Sequence, residues 1–189
     1  MPKLNEIAPD PKAERWDSLN AELAAYGTKT EGRPPHEDVP IDPGIREAVA
    51  GLNALGIMTT ASCGGHIDKF LSFPMLQGIL VDREKDSVQR AKVIALLDEF
   101  NIGRDEQFAL NLNKITPQGF RIESAITETG DDESTQLFYG MSEEHQKLMG
   151  GFVPFLEPMG RGRVAELVGR SQQEFVDFTE FLKQKYFAS

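Results

Sequence analysis

The chain has 189 residues, of which 40% are hydrophobic and 26% charged, enough to bury the core of one globular domain. Its 30 acidic and 20 basic residues leave a formal net charge of −10, which repels phosphate backbones and argues against general nucleic-acid binding. A single cysteine excludes an internal disulfide, and with no apolar leader and no run long enough to span a bilayer the composition predicts a cytoplasmic protein without membrane association.

Residues 1–15 are polar, with Pro2, Pro9 and Pro11, and predict an arm. DSLNAELAAY follows as a short helix capped by Asp17 or Ser18, with Leu19, Leu23 and Tyr26 on its apolar side and Gly27 as its stop. GTKTEGRPPHEDVP has paired prolines and no periodicity, and predicts a loop. In DPGIREAVAGLNALG, Asp42 is a good N-cap and Pro43 falls at the first helical position, where its missing N–H costs nothing. Ile45, Val49, Leu52 and Leu55 recur at helical spacing, Ala48 widens that face, and Gly56 ends the helix.

IMTTAS is short and β-branched and predicts a strand closed by Gly64 and Gly65; MLQGILV, residues 75–81, predicts a second. The pattern then recurs. DSVQRAKVIALLDEFN predicts a helix capped by Asp86 or Ser87, with Val88, Ala91, Val93, Ala95, Leu97 and Phe100 on the buried side. QFALNLNKI alternates, Phe108, Leu110 and Leu112 against Ala109, Asn111 and Asn113. So does GFRIESAITE, with Phe120, Ile122, Ser124 and Ile126 against Arg121, Glu123 and Ala125. TPQG, with Pro117 and Gly119, joins the two as a hairpin.

LNALGI and LLDEFNI hold the same place in two successive helix-strand-strand units. The predicted fold is therefore α+β: a four-stranded, mostly antiparallel sheet from two αββ units, helices on one face, and extra N- and C-terminal helices. The domain reading is an arm with a short helix over residues 1–40 and a single α+β domain over 41–189. Within that domain lie an αββαββ core at 41–128 and a helical extension at 134–189. In the extension Ser142 caps EEHQKLM, and Ser171 with Glu174 forms a capping box before FVDFTEFLKQKYF. Phe175, Phe178 and Leu182 make one apolar stripe, adjoined by Phe181, whose home is the domain core or else a partner subunit.

MTTASCGGHIDK, residues 58–69, carries the one cysteine and a histidine just past a Gly-Gly pair. In a structural reading Cys63 is a small buried hydrophobe, the glycines make a bend, and His66 satisfies a local bond. In a pocket reading Gly64 and Gly65 expose successive N–H groups that can cradle an anion, and Thr59, Thr60 and Ser62 add hydroxyls. His66 could then stabilise a thiolate at Cys63, making the pair the catalytic candidates. In a metal reading Cys63 and His66 form half a zinc site, completed from His36, Glu37, Asp68 or His145; none has diagnostic spacing, so no metal is assigned. In GRGRVAELVGR, Arg161, Arg163 and Arg170 with Gly160 and Gly162 suggest a mobile anion-binding loop opening a helix. The alternative is that these arginines pair with surface carboxylates.

IDPGIREAVAGLNALGIMTTASCGGHI resembles the N-terminal segment of the wybutosine-synthesising methyltransferase family. The shared features are an aspartate-led helix, an LN near its end, and a Thr/Ser-rich strand running into Ser62, Cys63 and Gly65. His66 stands where that family carries arginine, and Ala61 where it carries serine. PMLQGILVDREKDSVQRAKVIALLDEF is similar to the family's next strand and helix, so the likeness covers the middle third of the chain. It implies an αββ layout and modification of a tRNA guanosine derivative with S-adenosylmethionine as cosubstrate.

Taken together, the expectation is a protein that binds a small anionic or nucleotide-like molecule at the turn from Ser62 to His66, with group transfer at Cys63 and His66. Thr59, Thr60, Ser62, Gly64, Gly65, Arg161 and Arg163 are the binding candidates, and the cofactor is open. One alternative is a non-catalytic regulatory module that forms a homo-oligomer through its aromatic C-terminal helices. The other is an S-adenosylmethionine-dependent RNA-modifying enzyme of the wybutosine type.

Overall fold

The structure, a computed structural model, describes residues 10–25, 41–65, 73–79, 83–114, 119–127 and 158–189. The elements in chain order are α1 (Pro11–Ala25), α2 (Pro43–Ala54), β1 (Thr59–Cys63), β2 (Met75–Ile79), α3 (Arg83–Phe100), β3 (Leu110–Lys114), β4 (Gly119–Ser124) and α4 (Pro158–Ala188), with a 3-10 turn at Ala125–Thr127. Among the described residues no helix is long and apolar enough to cross a membrane.

The four strands form one antiparallel sheet in the order β1-β2-β4-β3. Each αββ unit contributes a strand pair, and the second strands of the two units meet at the centre, Leu76 opposite Ile122 and Gly78 opposite Phe120. An antiparallel pair at the centre relates the two units by a local twofold axis. The resemblance between LNALGI and LLDEFNI has a physical counterpart there. Asn53 Oδ1 accepts from the Thr59 N–H at 3.2 Å, anchoring the start of β1. Asn101 does the same for β3 with both ends of its amide, accepting from the Leu110 N–H and donating to the Leu110 carbonyl, each at 3.0 Å. Gly56 and Gly103, at φ of 79° and 75°, make the left-handed turn out of α2 and α3.

Strand alternation sends Leu76, Leu110, Phe120 and Ile122 to one face, all but fully buried. Ile45, Val49 and Leu52 of α2, Val93, Leu97 and Phe100 of α3, and Phe175, Phe178 and Leu182 of α4 close over them in one cluster. Gly78 is required in β2: a Cβ there would lie 2.3 Å from the Phe120 ring and 2.6 Å from the Met58 carbonyl oxygen. Phe178 meets Phe100 edge-on at 5.0 Å and stacks near Phe181 at 6.2 Å. The aromatic stripe of α4 is thus consumed in the domain core, and Phe178 has no exposed surface for a partner subunit.

Several helix boundaries differ from expectation. α1 starts at Pro11, with Asp10 as its cap: Asp10 Oδ1 accepts from the Lys12 N–H at 2.9 Å, so Asp17 and Ser18 lie inside the helix. The cause is Trp16, 5% exposed, whose ring sits 5.8 Å from Tyr186 and 6.0 Å from Phe187 and draws the early residues onto the end of α4. α3 begins at Arg83, which puts Asp86 and Ser87 within it. Val88 is 68% exposed and Ala91 and Ala95 face solvent, so the buried stripe narrows to Val93, Leu97 and Phe100 with Leu96 beside them. α4 runs unbroken from Pro158 to Ala188; Gly160 and Gly162 lie in its opening turns, and Ser171 is a fully buried mid-helix residue, not a cap. Tyr26, Gly27, residues 80–81, the 115–118 turn and the Ser142 helix lie outside the described residues.

Candidate functional site

Cys63 is the last residue of β1 and is half-buried. It pairs with Met75, which pairs with Glu123, which pairs with Asn111. The adjacent row is Ala61, Gln77, Arg121 and Asn113. Paired residues share a face, and these rows alternate with the buried ones. Cys63 therefore belongs to the face opposite the described helices, whereas Ser62, opposite Leu76, belongs to the core side.

That face carries a polar network. Asn113 Nδ2 donates to Glu123 Oε1 at 2.5 Å, and an Arg121 terminal nitrogen lies 3.6 Å from Glu123 Oε2. Arg121 Nε is buried and has no hydrogen-bond partner among the described residues. A buried N–H donor without an acceptor is costly, so this atom marks a place where an acceptor is wanted.

At the end of β1 the chain turns through Gly64 and Gly65, the latter at φ 78°, where a side chain would be strained. Three clamps hold this turn. The Gly64 N–H donates to Asp42 Oδ2 at 2.7 Å. Gln172 Nε2, from the middle of α4, donates to the Gly64 carbonyl at 3.0 Å and the Gly65 carbonyl at 3.1 Å. A Cβ on Gly64 would approach Asp42 Cβ to 2.9 Å, so the close approach of Asp42 favours glycine there. Beside the turn is a hollow of about 80 Å³, lined by Gly44, Ile45, Gly64, Pro74, Gln172 and Phe175.

Asp42 holds the N-cap position of α2, and its carbonyl accepts from Ile45 and Arg46, yet its carboxylate makes no capping bond to the helix. That carboxylate occupies the place at the Gly64 amide that an incoming anion would take. The other predicted binding residues are distributed as follows. Thr59 is tied to Asn53 through both its N–H and its hydroxyl, and the Thr60 hydroxyl reaches the Gln77 carbonyl at 3.5 Å. Arg163 pairs with Glu166 at 3.0 Å on the exposed side of α4, about 13 Å along the helix from Gln172. Arg170 pairs with Asp105 at 3.0 Å and lies over the Phe108 ring at 3.8 Å. These arginines belong to a helix and pair with carboxylates; they do not form a loop around an anion. Arg161 lies in the same helix, and its side chain is outside the described residues.

His66, His36, Glu37, Asp68 and His145 also lie outside the described residues. Among the described residues no group of histidine, cysteine, aspartate and glutamate could hold a metal ion. Sequence reasoning missed Asp42, Gln172, Arg121 and Glu123 as site residues. Alternation had marked Arg121 and Glu123 only as a wet strand face, and Asp42 had a sufficient reading as a helix cap.

No protein-family model, no characterised protein and no solved structure matches the chain.

Proposed function

We propose that the protein binds a small anionic or nucleotide-like molecule on the sheet face opposite the described helices, beside the Cys63-Gly64-Gly65 turn. One observation carries this reading: Arg121 Nε is a buried donor without an acceptor among the described residues, on the same face as Cys63. A phosphate or carboxylate oxygen supplies such an acceptor and gains a charge-assisted bond. The Asp42 carboxylate at Gly64 directs an anion away from the glycine amides and toward that guanidinium. The rigid turn holds Cys63 at the margin of the same surface.

Calorimetric titration with adenosine monophosphate tests the proposal, with S-adenosylmethionine, the cosubstrate implied by the sequence resemblance, titrated in parallel. Arg121→Ala is expected to weaken adenosine monophosphate binding about tenfold or more, the value of a hydrogen bond to a charged group. Its melting temperature should change little, because Glu123 keeps its bond to Asn113. Absence of binding to the unmodified protein, or equal binding by Arg121→Ala, contradicts the proposal.

A further inference from the structure

Among the described residues no strand pairs with the outer edge of β3. Ala109 accepts from the Ala125 N–H at 2.8 Å, which sets the parity of the β3–β4 ladder. Residues 109, 111 and 113 direct their backbone groups toward β4, and Leu110, Leu112 and Lys114 direct theirs outward. At Leu110 both outward groups are taken by the Asn101 amide, which makes the two bonds a neighbouring strand would make. Leu112 has no such partner among the described residues. A groove of about 340 Å³ runs along this edge, between Ile94, Leu97 and Asp98 of α3 and Leu112 and Asn113 of β3. Ile94 is 41% exposed at its wall, and the Asp98 carboxylate is exposed with no ion pair or hydrogen bond among the described residues.

We infer that this groove accepts a basic extended peptide, added as a fifth strand beside β3. The backbone of the peptide bonds to Leu112 and Lys114, and the Asn101 amide ends the added strand before Leu110. Alternate side chains of the peptide face α3, where a lysine or arginine lays its alkyl stem over Leu97 and Ile94 and its charge beside Asp98. Charge selects the partner: the Asp98 carboxylate, unpaired among the described residues, and a chain of net charge −10 favour lysine or arginine at those groove-facing positions. The same charge disfavours a second copy of this chain. Antiparallel pairing of β3 with its own copy about Leu112 would also set Lys114 against Leu110, whose edge groups are already bonded.

The test uses a blocked five-residue peptide alternating lysine and valine, titrated into the isotopically labelled full chain and followed by amide NMR. Saturable binding is expected, with the Leu112 and Lys114 amides among the largest shifts and slowed in hydrogen exchange. Asp98→Lys, a solvent-facing change that leaves the fold intact, is expected to weaken binding about fivefold. A glutamate–valine peptide should not bind, and backbone N-methylation of the lysine–valine peptide should abolish binding. Shifts confined to the sheet face that carries Cys63, equal binding of the two peptides, or indifference to Asp98→Lys would overturn the inference. So would sedimentation of the free protein as a dimer that the peptide does not dissociate.

Discussion

Asp42→Ala separates the two roles of the Asp42 carboxylate. In the folded chain Asp42 Oδ2 accepts the Gly64 N–H at 2.7 Å, and no side-chain bond caps α2. Truncation leaves a half-buried N–H without its acceptor, at about 1–2 kcal/mol. It also removes a negative charge from the N-terminus of α2, worth about 0.3–1 kcal/mol. The sum is about 2 kcal/mol, which for a chain of this size lowers the melting temperature by about 4–8 °C. Asp42→Asn keeps an oxygen in place to accept the same bond and should lose less than half of that. Because the carboxylate also repels an anion approaching the turn, Asp42→Ala should bind adenosine monophosphate more tightly while being less stable. Differential scanning calorimetry with and without the nucleotide reads both. A melting temperature for Asp42→Ala equal to that of the unmodified protein, or Asp42→Asn as low as Asp42→Ala, would refute the reasoning.

Phe178→Ala should cost about 3–5 kcal/mol in urea denaturation, because the ring is fully buried against Phe100 and Phe181. A change in association without that loss would place the aromatic stripe at an interface instead. Asp177 titrates below its ordinary value of 3.8, because the Gln173 amide and, after it, the Arg104 guanidinium stabilise the ionised form against partial burial. A depressed carboxyl stabilises the fold above pH 3.8, and that contribution is lost as pH falls through the lower folded value. Gln173→Ala should raise the Asp177 midpoint, followed by its carboxyl carbon shift; an unchanged midpoint counts against the Gln173 bond as the main cause.

The strands were the readable part of this sequence. Period-two alternation in LNLNK and GFRIES is a local signal, and it assigned Arg121 and Glu123 to the face opposite Phe120 and Ile122 correctly. Helix limits were less readable because they answer to distant partners. Trp16 extends α1 by docking on Tyr186, a contact no local pattern announces. Ser171 and Glu174 imitate a capping box, but Glu174 pairs with Arg104 at 2.6 Å and Ser171 is buried within α4. Gly160 and Gly162 suggested a mobile loop opening a helix, and each costs about 1 kcal/mol there relative to alanine; packing of the rest of α4 against α2 and the sheet outweighs that. The turn at Gly64 was visible as a turn. Its clamps were not, since Asp42 and Gln172 reach it from far along the chain and each had an adequate local reading.

A ligand held over Cys63 and Arg121, as proposed, would shield the thiol, and the alkylation rate of Cys63 with iodoacetamide reports that shielding. Cys63 is the one cysteine of the chain, so the modified fraction by mass spectrometry reports a single site. Adenosine monophosphate at a concentration near its dissociation constant for the unmodified protein should slow the reaction there and slow it far less in Arg121→Ala. Alkylation at the same rate with and without the nucleotide would contradict a ligand site on this face.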